Sequence, residues 1–277
     1  MMKADLHMHT ILSDGFYTAK DIIIKAKKHH MDIIAITDHD ICKNVKENYQ
    51  FAKEEGIIYL PGIELSTIYK RRPVHVLGYF RDDSYKSEEM LNYYKFIREG
   101  REKRARKFIA NLKTYFGLDI TYEEVYSYST GIVTRPHMAK ALKNKYPDFT
   151  LGKIYGELLG DNSPAYVPSC EISIEEGINL LRRNNCVVIL AHPTLLKDDI
   201  KDFVLSQDYD GYEGIYIRNK ENDELFFRTL AKKRNMIITA GGDFHGTPGD
   251  TIHAEIGEIY IEGKDLQVFL DKLGKEI

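Results

Sequence analysis

Tryptophan is absent from the 277 residues, and cysteine occurs only at positions 42, 170 and 186. Three thiols, odd in number and far apart, build neither a disulfide framework nor a cysteine zinc finger, and they suit a reducing compartment. No apolar run approaches the ~18–20 residues that span a bilayer, so no membrane association is expected. Residues 1–5 lack the character of a signal peptide, and a cytoplasmic location is expected. An excess of positive charge is missing too: 39 Lys and Arg stand against 42 Asp and Glu, a balance of −3. A binder of duplex DNA would be strongly basic, so any hold on anions is local and no duplex-DNA partner is expected. What remains is ordinary for a globular chain, with 43% hydrophobic residues to fill a core and 29% charged residues to cover it. The length fits one large domain, or one domain carrying a sizeable insertion.

Four short apolar runs end in polar residues of one kind. Residues 32–37 run into Asp38 and His39, 57–63 into Glu64, 187–191 into His192, and 236–240 through two glycines into Asp243, Phe244 and His245. Continuous β-branched runs of this length read as strands buried on both faces, as in a parallel sheet. Helical stretches separate them. Thr18 is placed to cap a helix over 19–30, and 43–55 reads as a second helix stopped by Gly56. The alternation indicates an α/β fold, and the C-terminal ends of strands are where α/β barrels hold their active sites. The middle differs. Residues 84–116 read as one long helix, followed by shorter helical pieces to about 159 and a return toward strand pattern after 166–168. Residues 84–168 are therefore read as a helical insertion in a domain formed by 1–83 and 169–277.

Six of the ten histidines, His7, His9, His39, His75, His192 and His245, stand at or near strand ends. His7 and His9 lie two apart on an extended stretch, so both imidazoles point to one side, and Asp243 and His245 repeat that spacing. Asp14, Glu64 and Asp243 bring the set to nine donors, six imidazoles and three carboxylates. A lone strand-end histidine is more often a hydrogen-bonded structural residue. The set argues otherwise, because so many ionisable groups at one barrel mouth are costly without cations to neutralise them. Nitrogen and oxygen donors without thiolate suit manganese, zinc or iron better than calcium or copper(I). Nine donors exceed the about four to six that one such ion takes. Two or three divalent cations are expected, manganese first and zinc or iron as alternatives, with Glu64 a candidate bridge. His29 and His30 suit a helix C-terminus, His253 is read as a loop residue, and Cys42 as structural.

The motifs His7-Met8-His9, Thr37-Asp38-His39, Pro61-Gly62-Ile63-Glu64, His75-Val76-Leu77-Gly78, Ala191-His192-Pro193 and Asp243-Phe244-His245 resemble, in order, those of the PHP (polymerase and histidinol phosphatase) family. The resemblance spans nearly the whole chain. It implies a distorted (β/α)7 barrel, the PHP fold, with a metal cluster at the C-terminal mouth of its strands and hydrolysis of phosphate esters. It also implies that His7, His9, Asp14, His39, Glu64, His75, His192, Asp243 and His245 are the ligands. Asp38 becomes a partner that orients a ligand histidine or binds water. Either His192 or Asp243 is a candidate to protonate the leaving oxygen, and the residues do not choose between them. Thr134-Arg135-Pro136-His137-Met138-Ala139 and Ala165-Tyr166-Val167-Pro168 resemble the stand-alone phosphoesterases of the family. Some of these are nucleoside 3′,5′-bisphosphate phosphatases and some 5′→3′ exonucleases on short RNA. A small phosphorylated substrate, a nucleotide or short RNA, is therefore expected. A histidinol phosphatase and a non-catalytic metal-stabilised module are the alternatives, and the intact ligand set weighs against the second.

Residues 95–107 hold seven basic side chains against two acidic ones. On a helical wheel Met90, Tyr94, Ile97, Phe108 and Leu112 form one apolar stripe. Arg101 falls in its middle, with Arg98 and Arg104 at its edges. A charged residue inside a buried stripe needs a partner. Arg101 and Arg104 are therefore candidates to bind substrate phosphate through the planar guanidinium, and the rest of the run is read as a solvated face. Arg135 and His137, at the start of a helical run, are the other phosphate-binding candidates.

Overall fold

The computed structural model describes residues 1–129, 133–168 and 172–275. Cys170 and the expected domain boundary at 169 lie outside the described residues. The strands are β1 (Lys3–Asp5), β2 (Ile33–Ile36), β3 (Ile58–Tyr69), β4 (Arg72–Phe80), β5 (Ile172–Ser173), β6 (Cys186–Leu190), β7 (Gly211–Ile215), β8 (Ile237–Ala240) and β9 (Ile261–Glu262). The helices are α1 (Ala19–Lys28), α2 (Val45–Glu55), α3 (Glu88–Phe116), α4 (Tyr122–Tyr126), α5 (Arg135–Lys145), α6 (Leu151–Lys153), α7 (Ile174–Arg183), α8 (Asp198–Leu205), α9 (Asp223–Lys233) and α10 (Gly263–Leu273). The apolar runs form the strands that are covered throughout, as every residue of β2 and β6 is buried. Thr18 and Asp21 cap α1 reciprocally, and Gly56, at φ 75°, closes α2 in the left-handed conformation that glycine adopts without strain. α2 begins later than the polar pattern suggests because Asn44 turns left-handed, at φ 56°.

Strands neighbour one another in the order β1-β2-β3-β4-β6-β7-β8, with β9 on the far side of β1 and β5 beside β3. The two ends of this order meet. Leu6 N–H donates to the Ala240 carbonyl at 3.3 Å, Phe244 N–H to that of His7 at 3.2 Å, and His9 N–H to that of Phe244 at 2.9 Å. Seven strands thus form a nearly closed α/β barrel. Its distortion is one strand: β4 is antiparallel to both β3 and β6, whereas β1, β2 and β3, and β6, β7 and β8, run parallel within each set. β3 reverses at Lys70 and Arg71, both left-handed at φ 48° and 63°, which makes a two-residue hairpin instead of a helical crossover.

Alternate strand residues share one core: Leu6, Ile33 and Ala35, Leu77 and Tyr79, Val187 and Ile189. α10 adds Leu266, Phe269, Leu270 and Leu273, with Phe269 edge-on to Tyr79 at 5.1 Å between centroids. Each large apolar side chain so covered stabilises by roughly 1.5–3 kcal/mol, so burial carries the barrel and leaves the polar mouth free for chemistry.

Contacts divide the chain into two units. The first, Met1–Thr10, Gly15–Leu91 and Glu171–Ile277, contains the barrel. The second, Ile11–Asp14 and Asn92–Cys170, is helical and has its own core, including Phe108, Leu112, Val125, Met138, Leu142 and Ile154. Met90, Tyr94, Ile97, Phe108 and Leu112 of the α3 stripe are all buried, and Arg101 among them is partly covered. Among the described residues no helix is long and apolar enough to cross a membrane.

Candidate active site

His7, Met8 and His9 continue β1, and Met8 is bridged in parallel to Phe244 beyond β8. Met8 is fully buried, and alternation turns both flanking imidazoles to the opposite side, their Nε2 atoms 3.1 Å apart. His39 follows β2 and is bridged to Glu64 within β3. His75 comes from β4, His192 follows β6, and Asp243 and His245 follow β8.

Glu64 is the centre of this group. Its Oε2 lies 3.3 Å from His7 Nε2, 3.2 Å from His9 Nε2 and 3.0 Å from His39 Nδ1. Its Oε1 lies 3.0 Å from both His75 Nδ1 and His192 Nε2. Asp243 Oδ1 stands 3.4 Å from His7 Nε2, 3.1 Å from His9 Nε2 and 3.6 Å from His245 Nδ1. Glu64 Oε2 is buried and has no hydrogen bond of good geometry among the described residues. Two donors held by one cation at about 2.0–2.1 Å stand roughly 3.0–3.4 Å apart, close to the spacing around Glu64. The spacing, the orphaned oxygen and the thiolate-free donor set together fit divalent cations.

The charges follow from the crowding. Burial opposes ionisation of Glu64, but His39, His7 and His75 hold its carboxyl well below the usual range. Burial likewise opposes Asp243, and His7, His9 and His245 outweigh it. Burial favours a neutral His9, yet Asp243 and Glu64 push its pKa up to about 10. His7 is raised against burial by Glu213, Glu64 and Asp243, and His75 by Glu64. Without cations, protonated imidazoles balance the ionised carboxylates.

A surrounding set of groups fixes these side chains. Glu213 on β7, fully buried, takes the Nδ1–H of His7 at 2.9 Å on one oxygen and the backbone N–H of His192 at 2.8 Å on the other. His7 Nε2 is thereby left as the basic nitrogen. His192 and Asp243 are left-handed, at φ 27° and 53°, a strain that such bonds hold in place. Tyr216 donates its hydroxyl to Asp243 Oδ2 at 3.1 Å. Asp38 accepts from the Thr10 N–H and the Thr10 hydroxyl, both at 2.7 Å, which anchors the chain just after His9. Buried Asp5 accepts from Gly242 N–H at 3.1 Å, and burial pushes its pKa up to about 7. The sequence reading gives no role to Glu213, Tyr216 or His253. The signal for Glu213 is a carboxylate inside the otherwise apolar stretch 212–216, where burial demands a partner. His253 stacks on His245, at 4.2 Å between centroids.

Gly241 lets β8 pass this group. A Cβ there would lie 2.3 Å from His7 Cβ and 2.6 Å from Glu213 Oε1. Gly241→Ala is expected to cost about 1–3 kcal/mol of stability and to displace His7 and Glu213 together. Thermal melts check this, and the metal-loaded protein should lose more than the metal-free one.

The remaining expected residues lie in the second unit. Asp14 closes the segment Ile11–Asp14 and is partly buried. Arg104 Nε donates to the Val167 carbonyl at 2.8 Å, and its guanidinium is 5.9 Å from the Tyr166 ring. Arg135 pairs with Asp161 at 2.9 Å. His137 Nδ1 accepts the Thr134 N–H at 3.1 Å at the start of α5, so its Nε2 carries the proton of the neutral ring. Burial lowers the pKa of His137; Asp14 opposes this, and Lys140 and Arg101 reinforce it. His137 therefore feels the charges of both Asp14 and Arg101 within this unit.

The sequence pattern of the PHP domain family matches residues 5–166, and the chain belongs to that family. It is similar to the 3′,5′-nucleoside bisphosphate phosphatase of Chromobacterium violaceum, 27% identical over 262 residues that cover 90% of this chain and 89% of the relative. It is also similar to the 5′-3′ exoribonuclease Rnm of Salmonella typhimurium, 25% identical over 250 residues, with 87% and 84% covered. Among solved structures, one from Bifidobacterium adolescentis described as a metal-dependent phosphoesterase aligns with a TM-score of 0.84 at 25% identity, over 97% of this chain and 96% of that one. An amidohydrolase from Chromobacterium violaceum, solved with bound sulfate, shares the fold with a TM-score of 0.82 at 23% identity, over 98% and 96%. The chain is a hydrolase, a metal-dependent phosphoesterase of the PHP family.

Proposed function

We propose that the chain removes a phosphate from a nucleoside 3′,5′-bisphosphate, with two or three divalent cations, manganese first, held by His7, His9, His39, Glu64, His75, His192, Asp243 and His245. Asp14 joins this set from its motif alone. The observation that carries the reading is one buried carboxylate, Glu64, with five imidazole nitrogens at 3.0–3.3 Å. When bound, the cations polarise the phosphate and bring the pKa of a water to near neutral. The protein's own part is to hold the donors still: Glu213 orients His7, Asp38 anchors the residue after His9, and Tyr216 steadies Asp243. The neighbours of Asp243 hold its carboxyl well below the usual range, which weighs against it as the group that protonates the leaving oxygen; His192 would serve there only through a nitrogen that holds no cation. We place the reaction in the cytoplasm, where the free buried thiols Cys42 and Cys186 stay reduced. The similarity to an exoribonuclease supports a second substrate for the same site, a 5′-phosphorylated short RNA. Manganese-loaded protein assayed against 3′-phosphoadenosine 5′-phosphate, 5′-phosphorylated RNA oligomers and histidinol phosphate separates these readings. The bisphosphate is expected to turn over fastest, and preference for histidinol phosphate refutes the assignment.

We propose that Arg101, Arg104, Arg135 and His137 are the residues that bind the substrate's other phosphate. Removing one charge-assisted hydrogen bond costs about 1.5–3 kcal/mol, so Arg101→Ala or Arg135→Ala should lower activity on the bisphosphate roughly ten- to hundredfold. Activity on p-nitrophenyl phosphate, which lacks that phosphate, should change much less, with metal content unaltered. Arg106→Ala is the control, since Arg106 is exposed, paired with Glu102 at 3.0 Å and stacked on Tyr122 at 3.9 Å. Equal loss on both substrates assigns Arg101 to the structure of its helix and removes it from the site.

A further inference from the structure

His253 lies outside the motifs that supply the cluster, yet its surroundings repeat those of His7. Asp250 Oδ2 takes the Nδ1–H of His253 at 2.7 Å, as Glu213 takes that of His7 at 2.9 Å. The other oxygen of Asp250 accepts the backbone N–H groups of Ile252 at 2.8 Å and His253 at 3.2 Å. One carboxylate therefore shapes the turn and sets the ring, and Nε2 is left as the basic nitrogen. That nitrogen lies 3.8 Å from Asp243 Oδ2, too far for a hydrogen bond and close enough for an ion between them at about 2.1 Å from each. His253 also stacks on His245, with 28° between the ring planes. His245 gives its own Nδ1–H to the Asp243 carbonyl at 2.7 Å, so its Nε2 is basic as well. One donor atom from each of Asp243, His245 and His253 lies within 4.8 Å of the others.

We propose that His253 is a further metal ligand, sharing a divalent cation with Asp243 and His245 at the edge of the cluster, and that Asp250 is its positioning residue. The proposal rests on the metal-centre reading above. It gives the two oxygens of Asp243 different work. Oδ1 faces His7 and His9, whereas Oδ2 faces His253 and the Tyr216 hydroxyl. The Asp243 carboxylate then joins the edge cation to the buried ones.

The test is metal binding itself. Metal-free protein is titrated with Mn²⁺ and with Co²⁺ by calorimetry, stoichiometry is read by elemental analysis, and Co²⁺ coordination by visible absorption. His253→Ala is expected to lose one cation equivalent, or to weaken one site about ten- to hundredfold, with the other sites unchanged and the Co²⁺ bands altered. Asp250→Asn keeps the ring and loosens it, so it should weaken the same site about tenfold or more. Glu64→Gln serves as the control on the cluster. If His253→Ala matches the wild type in stoichiometry, affinity and spectrum while Glu64→Gln loses metal, His253 is not a ligand and the cluster stands. If the wild type binds no cation, the cluster reading falls and His253 falls with it. Should His253→Ala fail to fold, Asp250→Asn decides: a weakened site supports the assignment, and unchanged binding overturns it.

Discussion

Glu64→Gln is expected to release more than one cation per chain and to lower kcat/KM by about a thousandfold or more. The substitution keeps the side chain's shape and removes its charge. Both oxygens of Glu64 face imidazole nitrogens at 3.0–3.3 Å, three around Oε2 and two around Oε1, so the two oxygens address different groups of donors. An amide offers one oxygen and turns two N–H groups on the rest, which repels a cation where the carboxylate attracted it. Losing a cation's stabilisation of the reacting phosphate is worth several kcal/mol, and about 4 kcal/mol corresponds to a thousandfold in rate. Elemental analysis after gel filtration and steady-state assays on a bisphosphate and on p-nitrophenyl phosphate measure both effects. Unlike the arginine variants, Glu64→Gln should suppress the two substrates equally. A variant that keeps its full metal complement removes Glu64 as a bridge.

The second large effect is on pH. His9, with a native pKa pushed up to about 10, binds its proton more tightly folded than unfolded, and His7 and His75 are raised in the same direction. The stability such a group contributes is complete below the unfolded value near 6.5 and is lost as pH rises through the native value. The metal-free protein should therefore weaken above about pH 6.5, by about 1.4 kcal/mol per pH unit for each proton retained. Asp5, raised to about 7, adds a slope of the same sign at lower pH. Glu64 and Asp243, held low, contribute stability that is present above about pH 4 and disappears on acidification. Cations compete with protons for the same lone pairs, so metal binding should release protons and tighten with rising pH. The Tm of chelator-treated protein should fall between about pH 6.5 and 9.5, while that of the metal-loaded protein should not. Calorimetry of Mn²⁺ binding in buffers of different ionisation enthalpy counts the protons. A metal-free Tm that climbs across this range, or binding without proton release, contradicts the protonation pattern.

Much of the barrel could be read from the chain because its buried strands are local patterns. The runs before His39, Glu64, His192 and Asp243 are each short, apolar and β-branched, and each becomes a strand. Alternation on an extended chain is equally local, which is why the pairing of His7 with His9 follows from their spacing. β7 escaped because packing strips it of the β-branched residues that mark a strand. A Cβ on Gly211 would meet the Ile237 carbonyl oxygen at 2.4 Å, and one on Gly214 would meet Ile238 at 2.9 Å. The glycines that these neighbours demand break the pattern and conceal Glu213 between them. The direction of β4 was equally hidden, since one apolar run reads the same either way and only the turn at Lys70 and Arg71 reverses it. His253 depends on a bend made by Asp250 and on the His245 ring, which the same connection between β8 and β9 folds beside it, and neither leaves a periodic trace. The wheel placed Arg101 inside the buried stripe of α3, but not beside His137, whose pKa its charge helps to lower and which comes from a distant stretch of chain.

The reversal at β4 also separates depth from chemistry. β3 continues five residues beyond Glu64 to Tyr69, and β4 returns past His75, so a hairpin arm of roughly 16 Å extends beyond the candidate metal donors Glu64 and His75. β5 braces the arm at Thr67 and Ile68, and its crest carries Lys70, Arg71 and Arg72. The donors sit at the foot of the arm, where pairing with β2 and β6 sets their positions. Residues added or removed at the crest in matched pairs keep the pleat in phase, so every donor stays on its face. The arm is thus a palisade whose height is adjustable while its footing is not.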